Sequence, residues 1–563
     1  RHVAEGIKYF EFVRADILSK QLRTAFVTQN LRKFYELQTE IFLNLNDLNP
    51  GGEFALMALK AQEKSRARTL LEVISETGVD VRGETNADLL RRERILLDEI
   101  GSHDEKLWRS NLPPDEATRK AIEKEIRRLN DEYEGLQEEM RRANPAYAAL
   151  SEPKIPDIKE IQEQILDGET ALVEYALGER GSAVWIVTPD SVQVRRLKPK
   201  AQIDAAARKF YELLSQDSAS VSPGSEKQIQ AASANLQKMI LAPLAGQLGK
   251  YKRLLIVADG ALQYIPFAAL PGSKTKTQSS KAEARNSQME NYLPLAADFE
   301  IVNVPSVSTL AALRQQVRQP ASDLLAILAD PVFDSDDERL KQFKLKSPSE
   351  KPAVQLSDDL TRTLSDFRKK SLPRLPFTGR EANLIAGQLA PGDSLLATGL
   401  SANRQRVMAG ELEKYKLLHF ATHGFLNAEN PALSGLVLSL VDEQGRPQNG
   451  FLRAQDVYTL QLRADLVVLS ACQTALGKEV EGEGVISLTR GFMYAGAPRV
   501  VASFWKVDDA ATAELMKRFY AAMLRDKKTP AAALREAQLG MMKIRRWQSP
   551  QYWAGFALQG DWR

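Results

Sequence analysis

The 563-residue sequence predicts an α/β protein that follows an α-helical amino-terminal region. Short apolar runs that include β-branched residues predict buried strands. Each run is followed by small or polar residues, which is typical of strand ends that line a crevice. The clearest runs are residues 253–258, 417–421, 466–469 and 499–505. Residues 1–147 instead show good helix formers with apolar side chains at helical spacing.

Residues 1–82 predict the first unit, which is helical because residues 54–74 are rich in Ala, Leu and Glu. A helix-turn-helix repeat cannot bury its apolar face alone. A truncated repeat array and an ordinary helical domain are therefore the two alternatives. The first residue is Arg1 rather than methionine, so we expect the sequence to be part of a longer protein.

Residues 83–152 predict an antiparallel helical hairpin that links this unit to the rest of the chain. Apolar residues between 122 and 140 alternate at spacings of four and three, which is a heptad seam. Pro113 and Pro114 interrupt the pattern, since proline cannot continue a helix. The hairpin is either a lever or docking arm, or a simple spacer.

Residues 153–332 predict the first half of the α/β region. Three strands suggest an antiparallel meander, at residues 170–177, 183–187 and 192–194. This half contains neither cysteine nor histidine and so cannot carry thiol chemistry. Residues 333–376 predict a charged, flexible linker that is either regulatory or merely solvated.

The sequence of residues 377–563 predicts the second half of the α/β region, which contains the candidate catalytic residues. Cys472, the only cysteine in the chain, follows the apolar strand 466–469. His423 follows a second strand, 417–421, and precedes Gly424. Parallel neighbouring strands would bring the thiol and the imidazole to one sheet edge, where the histidine activates the thiolate. Gly424 permits a sharp turn that leaves its N–H free to face a reacting carbonyl.

Three competing interpretations concern the same residues. His419 lies in mid-strand between Leu418 and Phe420, so we interpret it as a packed, hydrogen-bonded core residue. Ser470 is a rival nucleophile, but no Gly-x-Ser-x-Gly elbow surrounds it. A zinc site is disfavoured because a strand does not bring positions i and i+4 to one metal and a fourth ligand is missing. We expect neither a metal nor a cofactor.

The loop 477–484 after Cys472 is glycine-rich, but it lacks the Lys-Ser/Thr pair of a phosphate-binding loop. Its acidic residues would also repel phosphate, so we interpret it as a mobile lid. The net charge of +3 gives no case for direct nucleic-acid or membrane binding. No apolar run is long enough for a transmembrane helix. A single cysteine cannot form an internal disulfide, which favours a cytoplasmic location.

Three motifs carry a family resemblance over roughly residues 155–563. They are His-Phe-Ala-Thr-His-Gly at 419–424, Leu-Ser-Ala-Cys-Gln-Thr at 469–474, and Tyr-Trp-Ala-Gly-Phe at 552–556 with Gly-Asp-Trp-Arg at 560–563. The chain resembles the CHAT family of caspase-like cysteine peptidases, which are related to separase and are often fused to tetratricopeptide repeats. The resemblance implies a caspase-like fold with a degenerate pseudo-protease half (153–332), an active half (377–563) and a tetratricopeptide-like remnant before them.

The resemblance also implies roles for individual residues. His423 would be the general base and Cys472 the nucleophile, with the N–H groups of Gly424 and Cys472 as the oxyanion hole. In separase-like enzymes an aspartate at the end of the third strand binds a basic P1 side chain. Here that position favours Asp509, with Asp508 second. Either aspartate is alternatively the N-cap of the helix that begins near residue 510.

Trp505 would be a wall of the same pocket. The sequence as a whole therefore predicts a cysteine endopeptidase that acts on protein substrates, prefers a basic P1 residue, and is gated by a regulatory protein bound to its helical region. Two alternatives use the same residues. One is a catalytically silent CHAT-fold scaffold for signalling, and the other is transfer or hydrolysis of a different acyl group.

Overall fold

A computed structural model describes most of the α/β region and parts of the helical region. The described residues are 155–216, 225–272, 293–315, 318–341, 372–425, 435–471 and 484–563, together with 32–50, 53–77, residue 3 and single positions between 88 and 139. The predicted linker core (342–371), Cys472 and most of the predicted lid lie outside the described residues.

Eleven strands of the described part of the chain form one large sheet. In chain order these are β1 Thr170–Ala176, β2 Ser182–Thr188, β3 Ser191–Leu197, β4 Arg253–Val257, β5 Glu300–Asn303, β6 Asp323–Ala329, β7 Ser394–Thr398, β8 Tyr415–Ala421, β12 Leu466–Leu469, β13 Arg499–Ser503 and β14 Phe556–Gly560. The remaining three, β9 His423–Phe425, β10 Gly435–Val437 and β11 Phe451–Arg453, form a small separate sheet.

The strand order of the large sheet is β3-β2-β1-β4-β5-β14-β13-β12-β8-β6-β7. The antiparallel meander predicted from the sequence is confirmed by the pairing of β1 with β2 and of β2 with β3. β14 lies between the two halves, parallel to β5 and antiparallel to β13. The parallel strands of the two halves therefore run in opposite directions. β6 pairs with β8 and β7, among the strands of the carboxyl-terminal half.

The sheet is covered on both faces, as strand β12 shows. Leu466 and Val468 belong to one apolar cluster, whereas Val467 and Leu469 belong to the other. Successive side chains of a strand point to opposite faces. A continuous apolar run such as this one is therefore expected only in a strand that is buried on both sides.

Nine helices of eight or more residues occur in the described part of the chain. They are α1 Arg32–Leu48, α2 Phe54–Thr77, α3 Lys200–Leu214, α4 Ser225–Ile240, α5 Val307–Gln315, α6 Pro376–Ala386, α7 Gly484–Tyr494, α8 Asp509–Leu524 and α9 Pro530–Met542. Shorter α-helices are Ile158–Glu160, Leu295–Asp298, Arg404–Met408 and Ala454–Tyr458. No helix among the described residues is long and apolar enough to cross a bilayer.

The region predicted as a helical hairpin is described only at scattered positions, all of them helical. Leu96, Leu129 and Leu136 are buried. Arg92 and Glu139, 47 residues apart in sequence, form an ion pair of 2.8 Å. These contacts place the two predicted helical arms side by side at the described positions.

Helix α2 is anchored to the first half of the α/β region by polar groups. The carboxylate of Glu63 is almost fully buried and accepts hydrogen bonds from the N–H groups of Val307 and Ser308, at 3.1 and 2.9 Å, and from the Ser308 hydroxyl at 2.7 Å. These donors lie at the start of α5, where helical N–H groups lack partners within the helix. The carboxylate therefore caps one helix from another.

A second anchor lies one turn further along α2. The guanidinium of Arg66 donates to the carbonyl oxygens of Ala258, at 2.7 Å, and of Tyr175. It also lies 3.7 Å from the carboxylate of Glu174, which is fully buried in β1. Burial holds the pKa of Glu174 well above its ordinary value, the negative charge of Glu63 acts in the same direction, and Arg66 opposes both.

Replacing Glu63 with alanine is expected to destabilise the chain by about 2 kcal/mol, because two buried N–H groups lose their acceptor. Equilibrium unfolding in urea, followed by tryptophan fluorescence, measures the change. Glu443→Ala, at an exposed glutamate in a turn, is the control and should leave the unfolding midpoint in place. Equal midpoints for Glu63→Ala and the unsubstituted protein would contradict the capping role.

Candidate active site

The predicted histidine and cysteine strands are parallel neighbours in the sheet. β8 and β12 pair with Phe420 opposite Leu469, and the N–H of Ser470 donates to the carbonyl of Phe420 at 2.8 Å. His423 follows Phe420 by three residues, and Cys472 follows Leu469 by three residues. The described chain reaches Ala471, which is buried beside Ser503 and accepts a hydrogen bond from its hydroxyl at 2.9 Å.

His423 begins strand β9 and lies opposite Val437 of β10. Its Nε2 lies 2.8 Å from the carbonyl oxygen of Pro373, and its ring packs against Phe333 with centroids 5.2 Å apart. A carbonyl only accepts hydrogen bonds, so Nε2 carries the proton and Nδ1 is left free to accept one. Gly424, the next residue, lies opposite Leu436.

The pKa of His423 is lowered from its ordinary value, chiefly because burial disfavours the charged imidazolium. The Pro373 carbonyl opposes this by stabilising the protonated ring, and the positive charge of Lys506 acts in the same direction as burial. His423 is therefore neutral at neutral pH, which is the state in which it can accept a proton.

The sequence analysis missed Pro373, because a backbone carbonyl leaves no signal in the residue type. The structure shows how this carbonyl is held in place. The guanidinium of Arg374 makes two hydrogen bonds to the carboxylate of Asp330, at 2.9 and 2.7 Å. Asp330 follows β6 and has a φ of 48°, and its N–H donates to the Thr378 hydroxyl. The only part of this arrangement visible in the sequence was the Asp330-Pro331 end of a predicted strand.

Arg374→Gln is expected to lower kcat of the hydrolysis proposed below by roughly ten- to a hundred-fold with little change in KM. Losing the bidentate contact lets Pro373 move, and a catalytic group displaced by about 1 Å loses activity on this scale. Steady-state kinetics on an arginyl peptide measure both constants. Arg406→Gln, which breaks the surface ion pair with Glu411, is the matched control. A fall confined to KM would contradict this positioning role.

A pocket opens at the carboxyl ends of β12 and β13 and is closed on one side by α6. Most of its wall area is apolar, and two carboxylates and four hydroxyl-bearing side chains also line it. The lining residues are Leu375, Phe377, Thr378, Glu381, Ser470, Ala471, Ser503, Trp505, Val507, Asp509, Thr512 and Phe556. The pocket thus adjoins the residue that precedes Cys472 by one position.

The two aspartates that follow β13 have different contacts in the structure. Asp508 is the N-cap of α8, since its carboxylate accepts a hydrogen bond from the N–H of Ala511 at 2.9 Å. Asp509 lines the pocket. Burial raises the pKa of Asp509, Lys506 opposes this, and the charges of Asp508 and Glu381 raise it further. Trp505 lines the pocket too, with its indole N–H donating to the carbonyl of Gln551.

His419 is a packed core residue, which confirms the prediction made for it. Its side chain is 0% exposed, and Nδ1 lies 3.1 Å from the hydroxyl of Tyr520. Nε2 lies 3.0 Å from Oε1 of Glu381, which is 2% exposed. Within the described residues no group of three or more His, Cys, Asp or Glu side chains is arranged to hold a metal ion.

Among curated proteins, this chain is similar to two that are named as tetratricopeptide repeat proteins. Tetratricopeptide repeat protein 28 of Homo sapiens is 27% identical over 369 residues, and that of Mus musculus is 26% identical over 367 residues. Each alignment covers 58% of this chain and 13% of the relative. The chain thus spans about an eighth of the length of these curated relatives.

Among solved structures, the Saccharomyces cerevisiae separase–securin complex matches with a TM-score of 0.41 and 10% identity, over 96% of this chain and 43% of that one. The Arg-specific cysteine proteinase gingipain R matches with a TM-score of 0.33 and 12% identity, over 64% and 74% of the two chains. The model of the CHAT domain matches residues 230–561, which is more than half of the sequence. This chain therefore belongs to the CHAT domain family.

Proposed function

We propose that this chain is a cysteine endopeptidase, with Cys472 as nucleophile and His423 as general base, that cleaves protein substrates after a basic residue. The observation that carries the proposal is the register of β8 and β12. β8 and β12 are adjacent parallel strands with Phe420 opposite Leu469, and His423 and Cys472 each follow one member of this pair by three positions in the sequence. The carboxyl ends of such strands lie at one sheet edge.

In the first step the free Nδ1 of His423 accepts the thiol proton of Cys472. The thiolate attacks the carbonyl carbon of the scissile peptide bond and forms a tetrahedral intermediate. The N–H groups of Gly424 and Cys472 stabilise its oxyanion. The imidazolium then gives its proton to the leaving amine, the C–N bond breaks, and an acyl-thioester remains on Cys472.

In the second step water attacks the acyl-thioester while Nδ1 of His423 accepts a proton from it. Collapse of this intermediate breaks the C–S bond, releases the carboxylic acid and returns the proton to the sulfur. The Pro373 carbonyl keeps Nε2 protonated throughout. The Pro373 carbonyl thus orients the base, as a third side chain does in a catalytic triad. Arg374 and Asp330 are positioning residues because they hold this carbonyl in place.

The preference for a basic P1 residue is supported by the position and surroundings of Asp509. Its carboxylate lines the pocket beside the end of the cysteine strand, with the apolar side chains of Trp505 and Val507 nearby. An ionised carboxylate in a largely apolar pocket favours a cationic side chain whose aliphatic stem contacts the walls.

Gating by the helical region is part of the proposal, supported by the anchoring of α2 through Glu63 and Arg66. A protein partner that binds the helical region would act through these contacts. A cytoplasmic location is also proposed, because a free catalytic thiol persists in a reducing compartment.

Three matched peptides that differ only in arginine, aspartate or leucine at P1 test the proposal. We expect the arginyl peptide to be cleaved fastest, with the new carboxyl terminus identified by mass spectrometry. Equal or faster turnover of the aspartyl peptide would rule out the basic preference. Failure to cleave any member of a peptide library, with the thiol intact and a partner present, would favour the silent scaffold.

A further inference from the structure

The pocket that Asp509 lines contains further buried polar side chains, among them those of Ser470 and Glu381. The Ser470 hydroxyl is buried and has no hydrogen-bond partner among the residues that the structure describes. Oε1 of Glu381 is likewise buried without an aligned donor, despite lying 3.0 Å from Nε2 of His419. Buried polar atoms are nearly always hydrogen-bonded in folded proteins. Two such acceptors in one pocket fit a ligand that brings N–H donors.

We infer that Glu381 is a second specificity-determining carboxylate, which together with Asp509 and Ser470 selects arginine over lysine at P1. The inference deepens the proposed function and rests on it. All three residues line the same pocket from separate parts of the fold: Glu381 lies in α6, Ser470 directly follows β12, and Asp509 begins α8.

The number and direction of the acceptors distinguish the two basic side chains. A guanidinium presents five N–H donors in a rigid plane, whereas an ammonium is a compact charge with three donors on a flexible stem. Acceptors contributed from three elements match the planar group better. A guanidinium can also pair with one carboxylate through two N–H groups and present its remaining N–H groups to the other.

The side chain of Glu381 is positioned by His419 and Tyr520. His419 is completely buried between Glu381 and Tyr520, with Nε2 toward the carboxylate and Nδ1 toward the phenol oxygen. The imidazole thus contacts the carboxylate at 3.0 Å without an aligned hydrogen bond, so Oε1 of Glu381 remains an acceptor for the ligand. His419 and Tyr520 are therefore positioning residues.

Replacing Glu381 with glutamine tests the inference by substrate preference. We expect kcat/KM for the arginyl peptide to fall at least tenfold, kcat/KM for the lysyl peptide to fall less, and turnover of a citrulline peptide, its neutral isostere, to stay within twofold. Glu443→Gln is the control and should leave all three values unchanged. An arginine-to-lysine ratio equal to that of the unsubstituted protein would overturn the inference.

Binding gives a readout that does not depend on turnover. Calorimetric titration with agmatine, which is arginine without its carboxylate, is expected to show at least tenfold weaker binding to the Glu381→Gln protein. Equal binding would overturn the inference. If the unsubstituted protein binds agmatine through Glu381 but cleaves no peptide, the proposed peptidase activity fails while the pocket assignment stands.

Ser470→Ala provides the second variant, should Glu381→Gln lower the unfolding midpoint. It removes one acceptor at the strand end while leaving both carboxylates in place. We expect a three- to tenfold loss of agmatine affinity and of kcat/KM for the arginyl peptide. An unchanged affinity in a folded Ser470→Ala protein would overturn the assignment of three acceptors to one guanidinium.

Discussion

Cys472→Ala is expected to abolish peptide hydrolysis, with a loss of roughly a thousand-fold or more, because it removes the proposed nucleophile. His423→Ala should lose activity on a similar scale, since groups that act as one unit are not additive. Initial rates with the arginyl peptide measure both effects. His103→Ala, a histidine outside the α/β region, is the matched control and should retain full activity.

The single cysteine also permits a measurement that needs no substrate. Iodoacetamide modifies the thiolate rather than the thiol, so its rate at neutral pH reports how far the imidazole activates Cys472. We expect slower alkylation in the His423→Ala protein and a shift of the alkylation profile to higher pH. Identical profiles in the two proteins would show that the histidine and the thiol do not interact.

Asp509→Asn is expected to reduce kcat/KM for the arginyl peptide by roughly a hundred-fold, since losing one partner of a buried charge pair costs about 2–5 kcal/mol. Turnover of the leucyl peptide should change little, so the preference for arginine collapses. Asp508→Ala is the comparison variant: removing the N-cap should lower stability by about 1 kcal/mol and leave the P1 preference intact. If Asp508→Ala removed the preference for arginine and Asp509→Asn did not, Asp508 rather than Asp509 would be the specificity residue.

The same carboxylate predicts a pH dependence. Burial raises the pKa of Asp509, so this group takes up a proton, and loses its charge, at a higher pH than a free aspartate does. The ratio of kcat/KM for arginyl over leucyl peptide reports the free enzyme. We expect this ratio to fall as the pH decreases through the raised pKa. In the Asp509→Asn protein the ratio should be small and nearly independent of pH.

The strands that position the site could be predicted from the sequence because each is a continuous apolar run. β8, β12 and β13 were all expected, and the parallel pairing of β8 with β12 is confirmed. Where β6 and β14 lie in the sheet was not predictable. Strand order depends on contacts between segments hundreds of residues apart, and neither strand differs in composition from its neighbours.

The site itself was predictable only where a residue type is chemically distinctive. Cys472 and His423 were found because thiols and imidazoles are rare in this chain. Pro373 acts through its carbonyl, which every residue has, and Glu381 resembles any charged residue of an amphipathic helix. The pocket position of Asp509 and the capping position of Asp508 differ by one residue, and only helix geometry separates them.

The position of β14 has a consequence for biosynthesis. Residues 556–560 are translated after every other strand of the large sheet, yet they lie between β5 and β13. Until residues 556–560 have left the ribosome, β5 and β13 each present an unpaired edge, which favours aggregation and the binding of chaperones. The two halves of the sheet can therefore be joined only after residues 556–560 have been synthesised, so the proposed activity would be withheld until that point.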